Sequence, residues 1–291
     1  MTNSITDRRL RFRSVLEGNA CVHPGSVFDP MSARVAEDLG FECGMLAGST
    51  ASLTVLGAPD LIVLTLTEFA EQARRICRAA RTLPLRVDAD HGYGNALNAR
   101  RTVEELEAAG VAAMTLEDTV LPRPYGDGKP ALIPLAEGLG KVRAALAARD
   151  DPGFCVVART GAVSVTGLDD AVERTRAYTA SGADALFYTG VRTRAELDAL
   201  SAVATVPIVL GGVESTELGD RSYLAARGVR VALQGHQPIM AAARADHDTL
   251  TALREGTKPA DLPGLPAPGL MAAATRDGDY KRWTRDFLGG P

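Results

Sequence analysis

The stretch LEAAGVAAMTLED, residues 106–118, carries the pattern on which the fold turns. An amphipathic segment ends at Gly110, and a short apolar run begins on the next residue. The same join recurs in AEDLGFECGMLAGS (36–49), TASGADALFYTG (179–190) and LAARGVRVALQG (224–235), with Gly40, Gly182 and Gly228 at the hinge. Glycine best takes the left-handed conformation that closes a helix. The apolar runs suit strands buried on both faces of a parallel sheet.

Between these joins lie strand entries led by proline: LPLRV (83–87), Asp151-Pro152 ahead of Phe154 to Ala158, and VPIVL (206–210). Proline at a strand's start forfeits no ladder hydrogen bond. With a first strand around Ala20 to His23, the two kinds alternate into about eight strand–helix units of roughly 35 residues, which predicts an α/β (β/α)8 barrel of the TIM type. A doubly wound open sheet is the alternative. The barrel is assigned to residues 1–256 and a linker with a helical tail to 257–291. Lys258 to Gly269 is rich in Pro, Gly and Ala, whereas Met271 to Leu288 reads as one or two short helices. Tyr280, Trp283 and Phe287 in that tail need a surface to bury against, expected to be a neighbouring subunit.

Composition narrows the function classes. With 46% hydrophobic and 23% charged residues, the 291-residue chain is of ordinary globular type, and its net charge of −4 offers no basic face for nucleic acid. No apolar run approaches the ~18 residues that span a bilayer. Residues 1–13 mix polar and charged side chains without an apolar core, so no secretory signal is read there and cytoplasmic residence is expected. Cys21, Cys43, Cys77 and Cys155 are scattered, which argues for buried core thiols over a zinc ribbon or redox pair.

A parallel barrel gathers its chemistry at the C-terminal ends of the strands. The polar residues closing the apolar runs are Ser49, then Asp88, Asp90 and His91, then Glu117 and Asp118, then Arg159, and last His236. Asp88 and Asp90 stand two apart, which on a strand sends both side chains one way. Two carboxylates so close repel unless a cation lies between them. Glu117, at the corresponding height on the adjacent strand, completes a hard-oxygen set that favours Mg2+ or Mn2+ over zinc. The competing reading makes these acids helix caps.

Arg159 either grips a substrate carboxylate through two parallel hydrogen bonds or pairs with Glu117 or Asp118. His236 is a proton donor, a carboxylate ligand or structural, and His91 shares that ambiguity. His23 falls at the first strand end, and His247 lies in a polar helix with no evident role. Gly92-Tyr93-Gly94, ahead of a helix beginning near Asn95, imitates a dinucleotide fingerprint. Leu97 stands where the third glycine belongs and acids crowd the loop, so the glycines are read as bending the backbone towards a small anion.

These segments resemble the isocitrate lyase / phosphoenolpyruvate mutase superfamily. The likeness rests on FDPMSARVAEDLGFECGMLAGSTASL (28–53), Asp60 in GAPDLIVLTLTEF (57–69), VDADHGYGNALNARRTVEELEAAG (87–110), TLEDT (115–119) and VARTGA (157–162). It covers Ser26 to Arg192, with weaker likeness to the end. SVFDPMSAR, DADHGYGNALN and the Gly235-His236 pair are most similar to the oxaloacetate decarboxylase family. The resemblance implies a barrel in which Asp88 binds Mg2+, while Asp60, Asp90 and Glu117 hold it through water. It further implies that Ser49, Arg159 and His236 bind substrate, and that the protein is a homotetramer exchanging C-terminal helices. The implied reaction is decarboxylation of a small α-keto dicarboxylate, oxaloacetate or a related β-keto acid, to pyruvate and CO2 through a metal-stabilised enolate, with Asp88, Arg159 and His236 catalytic.

Departures shape that expectation. Lyase members carry a Lys-Lys/Arg-Cys-Gly-His loop whose cysteine is the catalytic acid, and the loop here, Thr119 to Lys129, has no cysteine. The mutase's lysine-rich loop is likewise absent, and Thr189 stands where lyases have Glu. Gly161 replaces the decarboxylase family's Asn, and Gly211, Gly212 and Val213 replace its polar and aromatic residues, so the pocket is expected to be roomier and less polar. Two alternatives remain: a C–C lyase or hydrolase acting on a substituted malate or oxaloacetate, and a non-catalytic ligand-binding barrel.

Overall fold

The computed structural model describes residues 4–126, 128–212 and 216–289. The chain divides into two compact units, Met1–His236 and Gln237–Pro291.

In the first unit eight parallel strands form one sheet in chain order: β1 (Gly25–Ser26), β2 (Gly44–Leu46), β3 (Leu85–Asp88), β4 (Ala113–Glu117), β5 (Cys155–Thr160), β6 (Ala185–Tyr188), β7 (Ile208–Leu210) and β8 (Val229–Ala232). Val22 bridges Val231 in parallel, its N–H donating to the Arg230 carbonyl at 2.9 Å, and this contact closes the barrel that the sequence predicts. The first strand, expected at Ala20 to His23, lies instead at Gly25–Ser26, with Val22 as an isolated bridge ahead of it. The backbone there serves two neighbours in turn, β8 and then β2, so no continuous run forms.

All four hinge glycines are left-handed, with φ between 78° and 90°. After helix Ala96–Ala108, Gly110 donates to the Glu107 carbonyl and Val111 to that of Leu106 at 3.1 Å each, closing the helix before β4. Pro84 and Pro207 open β3 and β7 and still serve the sheet, because their carbonyls accept from Gly44 and Leu186 at 2.9 Å. The larger core, with Leu85, Val87, Met114, Val156 and Leu210, fills the space between sheet and helices.

The polar N-terminal segment contains a helix, Ile5–Glu17, that the sequence did not announce. Its Phe12 and Leu16 join the inward-facing Ala113, Val157, Ala185 and Val231 in a second core within the barrel. Its arginines reach barrel backbone: Arg8 donates to the Cys77 carbonyl at 2.9 Å and Arg9 to that of Val111 at 3.1 Å.

The second unit begins at residue 237, whereas the sequence placed the boundary at 256/257. The helix Gln237–Arg254, expected to complete the barrel, therefore groups with the tail, and only its Ile239 is buried. Helices Pro268–Thr275 and Asp277–Leu288 follow. Tyr280 and Trp283 meet edge to face at 5.1 Å, while Trp283, Phe287 and Leu288 are exposed. Among the described residues no helix is long and apolar enough to cross a membrane.

Candidate active site

A cavity of about 420 Å3 opens at the C-terminal ends of the strands. Ser49, Asp60, Asp88, Asp90, Glu117, Arg159 and His236, the seven residues that the family resemblance implied, all line it, whereas the strand-end His91 and Asp118 do not. Asp88 and Glu117 end β3 and β4, and Arg159 is the penultimate residue of β5. Ser49 sits in the first turn of helix Gly48–Leu56.

Asp90 arrives differently from expectation. Strand β3 stops at Asp88 and Asp90 is left-handed at φ 48°, so side-chain alternation does not run through it. The turn that follows, with Gly92 donating to the Ala89 carbonyl at 2.9 Å, carries its carboxylate against Gly48. A Cβ on Gly48 would lie 2.7 Å from Asp90 Oδ1, so only glycine leaves room there. The Asp90 carbonyl also accepts from the Glu117 N–H at 2.8 Å, which ties the two acidic strand ends together.

Arg159 donates to Asp88 Oδ2 at 2.6 Å and stands 3.4 Å from Glu117 Oε2. Of the two pairings expected for it, the one with Glu117 forms and the one with Asp118 does not. Asp118 faces away from the cavity, accepting from Arg174 at 3.0 Å and the Tyr178 hydroxyl at 2.9 Å. Thr119 donates to Glu117 Oε2 at 2.7 Å. The Phe187 ring lies between two guanidinium groups, 4.6 Å from that of Arg86 and 5.4 Å from that of Arg159.

The electrostatics of the rim are those of crowded negative charge. Burial, then Asp88, raises the Asp60 pKa. Burial, then Asp88 and Glu117, lifts Asp90 well above the usual carboxylate range. Burial also raises Glu117, with Arg159 opposing. Burial works against the charge of Arg159, yet Asp88, Glu117, Asp90 and Asp60 together outweigh it and keep the guanidinium firmly protonated. Four carboxylates thus share one cavity with Arg159 and the exposed Arg123. Such a hard-oxygen, charge-excess set fits a divalent cation. Among the described residues no three His, Cys, Asp or Glu groups converge closely enough to ligate one ion together.

His236 Nδ1 lies 2.9 Å from Ser26 Oγ, and burial lowers its pKa against the pull of Asp88 and Asp60. The other histidines lie elsewhere: His23 meets the Ala232 carbonyl at 2.8 Å, and His247 is exposed beside Asp248. His91 belongs to a separate cavity. The Gly92-Tyr93-Gly94 loop serves packing rather than close approach to a ligand in the acid-lined cavity. A Cβ on Gly92 would meet Leu116 at 2.6 Å, and Asn95 caps helix Ala96–Ala108 with a reciprocal Asn98 contact. All four cysteines are buried free thiols, and none lines the cavity.

Several lining residues gave no sequence signal, among them Met45, Ile62, Thr119, Arg123 and Phe187. Ile62 is left-handed at φ 58°, an uncommon conformation for a β-branched residue, in the segment that presents Asp60. Thr189, Gly211 and Gly212 line the cavity as well. A Cβ on Gly211 would lie 2.7 Å from the Phe187 ring, so the ring takes much of the space that glycine vacates. A Cβ on Gly161 would meet Thr189 Oγ1 at 3.3 Å. Val213 lies outside the described residues.

A parallel barrel with a carboxylate cluster, an arginine and a histidine on its C-terminal rim defines the class of divalent-metal barrel enzymes acting on small carboxylates. The chain belongs to the phosphoenolpyruvate phosphomutase family, whose profile matches residues 12–254. It is 59% identical over 281 residues to an oxaloacetate decarboxylase of Bradyrhizobium sp. (strain BTAi1), covering 97% of each chain. Among solved structures it is similar to an oxaloacetate acetylhydrolase in complex with the inhibitor 3,3-difluorooxalacetate, with a TM-score of 0.85 and 28% identity over 98% of both chains. It is also similar to a phosphonopyruvate hydrolase in complex with oxalate and Mg2+, with a TM-score of 0.84 and 28% identity over 97% of this chain and 99% of that one.

Proposed function

We propose that this enzyme decarboxylates oxaloacetate, or a related β-keto acid, to pyruvate and CO2. The observation that carries the proposal is full-length likeness, at 59% identity, to a relative bearing that activity's name. The cavity's chemistry agrees with it. Asp88 is the residue to hold Mg2+, or Mn2+ in its place, with Asp60, Asp90 and Glu117 engaging the ion through water. When bound, the cation supplies Lewis-acid stabilisation of the negative charge that develops on the keto oxygen.

The protein's own groups orient and protonate. Arg159, held between Asp88 and Glu117, presents a guanidinium to a substrate carboxylate, and Ser49 offers a hydroxyl beside it. Loss of the distal carboxylate as CO2 leaves an enolate, which needs one proton at carbon to become pyruvate. In the tautomer whose Nδ1 accepts from the Ser26 hydroxyl, a neutral His236 carries its proton on Nε2 and is the candidate donor to that carbon. No thiol acid takes part, because no cysteine lines the cavity.

The assay is oxaloacetate consumption with Mg2+, reading pyruvate and CO2 against the background of Mg2+ alone. Oxalate with acetate as products would instead assign a C–C hydrolase, and no rate above background would sink the enzyme reading. The proposal extends to a cytoplasmic homotetramer with exchanged C-terminal helices. Exposed Leu270, Met271, Trp283 and Phe287 support the exchange, and four unpaired thiols suit a reducing compartment.

A further inference from the structure

A second cavity, of about 510 Å3, lies behind the segment Thr119 to Pro122, which forms one of its walls. We propose that it is a binding site for a small oxyanion, a phosphate or a carboxylate, held by Lys141, His91 and the first turn of helix Leu135–Ala148.

Three features converge there. Lys141 lines the cavity with only 3% of its surface exposed, and among the described residues it forms no ion pair. The carboxylates nearest to balancing it are Glu137, Glu117 and Asp118. Glu117 is already engaged by Arg159 and Asp118 by Arg174, while Glu137, which also lines the cavity, is exposed to solvent. His91 is 6% exposed, and its Nδ1 is buried without a hydrogen-bond partner. Helix Leu135–Ala148 starts after Pro134 with no side chain capping it, and Pro134 and Glu137 line the cavity. No side chain therefore caps its first-turn N–H groups, which lie at the positive end of the helix dipole.

An ammonium, a helix N-terminus and an imidazole nitrogen able to carry a proton are all donors. A buried lysine left unpaired is costly, so the arrangement calls for a ligand that only accepts and is negatively charged. A compact oxyanion meets both conditions, as at other helix N-termini. This site stands on its own geometry and does not depend on the decarboxylase assignment.

The test is isothermal titration of inorganic phosphate, and separately of acetate, into the Mg2+-loaded full chain. Saturable binding of at least one of the two at one per chain is expected, and which one binds identifies the source of the oxyanion. Lys141→Gln should weaken it at least tenfold and Lys141→Arg should retain it, while Arg159→Lys in the first cavity leaves it in place. Should Lys141→Gln fail to fold, His91→Phe takes its place with the same direction of change. No saturable binding of either probe, binding undiminished in Lys141→Gln, or binding lost only in Arg159→Lys would each overturn the proposal.

Discussion

Replacing Gly48 by alanine places a methyl group 2.7 Å from Asp90 Oδ1 and 2.9 Å from Oδ2. Ordinary C···O approach is about 3.3 Å or more, so the shortfall is roughly 0.6 Å. Overpacking of this kind costs about 1–3 kcal/mol. Alanine's better helix propensity, up to about 1 kcal/mol, works in the opposite direction, so a net loss isolates the clash. If the site stays rigid, the net loss of up to about 3 kcal/mol lowers the melting temperature by up to about 12 °C, at roughly 2–4 °C per kcal/mol for a large domain. If the Asp90 carboxylate swings aside instead, stability is spared and Mg2+ affinity falls about 10–100-fold, as for loss of an outer partner of a metal site. Thermal unfolding and CO2 release titrated against Mg2+ read these two outcomes separately. Gly161→Ala is the control, since its methyl group meets Thr189 Oγ1 at 3.3 Å and needs only a small adjustment. Wild-type melting, activity and Mg2+ dependence in Gly48→Ala would refute the placement of Asp90.

Asp88→Ala is expected to abolish Mg2+-dependent CO2 release while circular dichroism shows a folded chain, and full activity would remove the metal from that residue. Arg159→Ala should act mainly through KM, roughly tenfold or more for loss of a charge-assisted carboxylate contact; an unchanged KM would leave the arginine a purely structural partner of Asp88 and Glu117. Without a cation, Asp60, Asp90 and Glu117 have folded-state pKa values raised by burial and mutual repulsion. The folded chain then holds protons that the unfolded chain releases, so stability falls as pH rises from the usual carboxylate range through the raised values. Mg2+ relieves that repulsion, so its stabilisation, about 2.7 kcal/mol at a hundredfold excess over Kd, should be larger near pH 7.5 than near pH 5. Equal gains at both would contradict the charge-excess site. In the tail, Trp283→Ser with Phe287→Ser should lower the oligomeric mass in sedimentation; an unchanged mass would argue against helix exchange.

The barrel was legible because its joints obey local rules. Gly40, Gly110, Gly182 and Gly228 close helices, and Pro84 and Pro207 open strands, where each residue's own backbone preference decides the geometry. The first strand was misplaced because two bridged residues leave no apolar run to read. The N-terminal helix was overlooked because its arginines, polar in sequence, spend their charge on backbone carbonyls inside the protein. At the site, Asp88, Glu117, Arg159 and His236 are legible as ends of apolar runs, whereas Asp60, between two helices, closes no strand and is reached only through family likeness. Thr119, Ile62 and Phe187 act through contacts between distant segments, and no periodicity marks such contacts. Asp90 lines the cavity by way of a left-handed turn, where the sequence pattern points to strand alternation.

The adjacent acids Glu117 and Asp118 point to opposite sides of the barrel wall, one into the acid-lined cavity and the other onto Arg174 and Tyr178. Natural selection therefore inspects two neighbouring codons through different phenotypes. On the role proposed for Glu117, lesions at the first would leave abundant but idle enzyme, whereas lesions at the second, by stripping Arg174 and Tyr178 of their partner, would deplete the folded pool. Compensating changes diverge accordingly: stabilising substitutions elsewhere in the barrel rescue the second position and do nothing for the first.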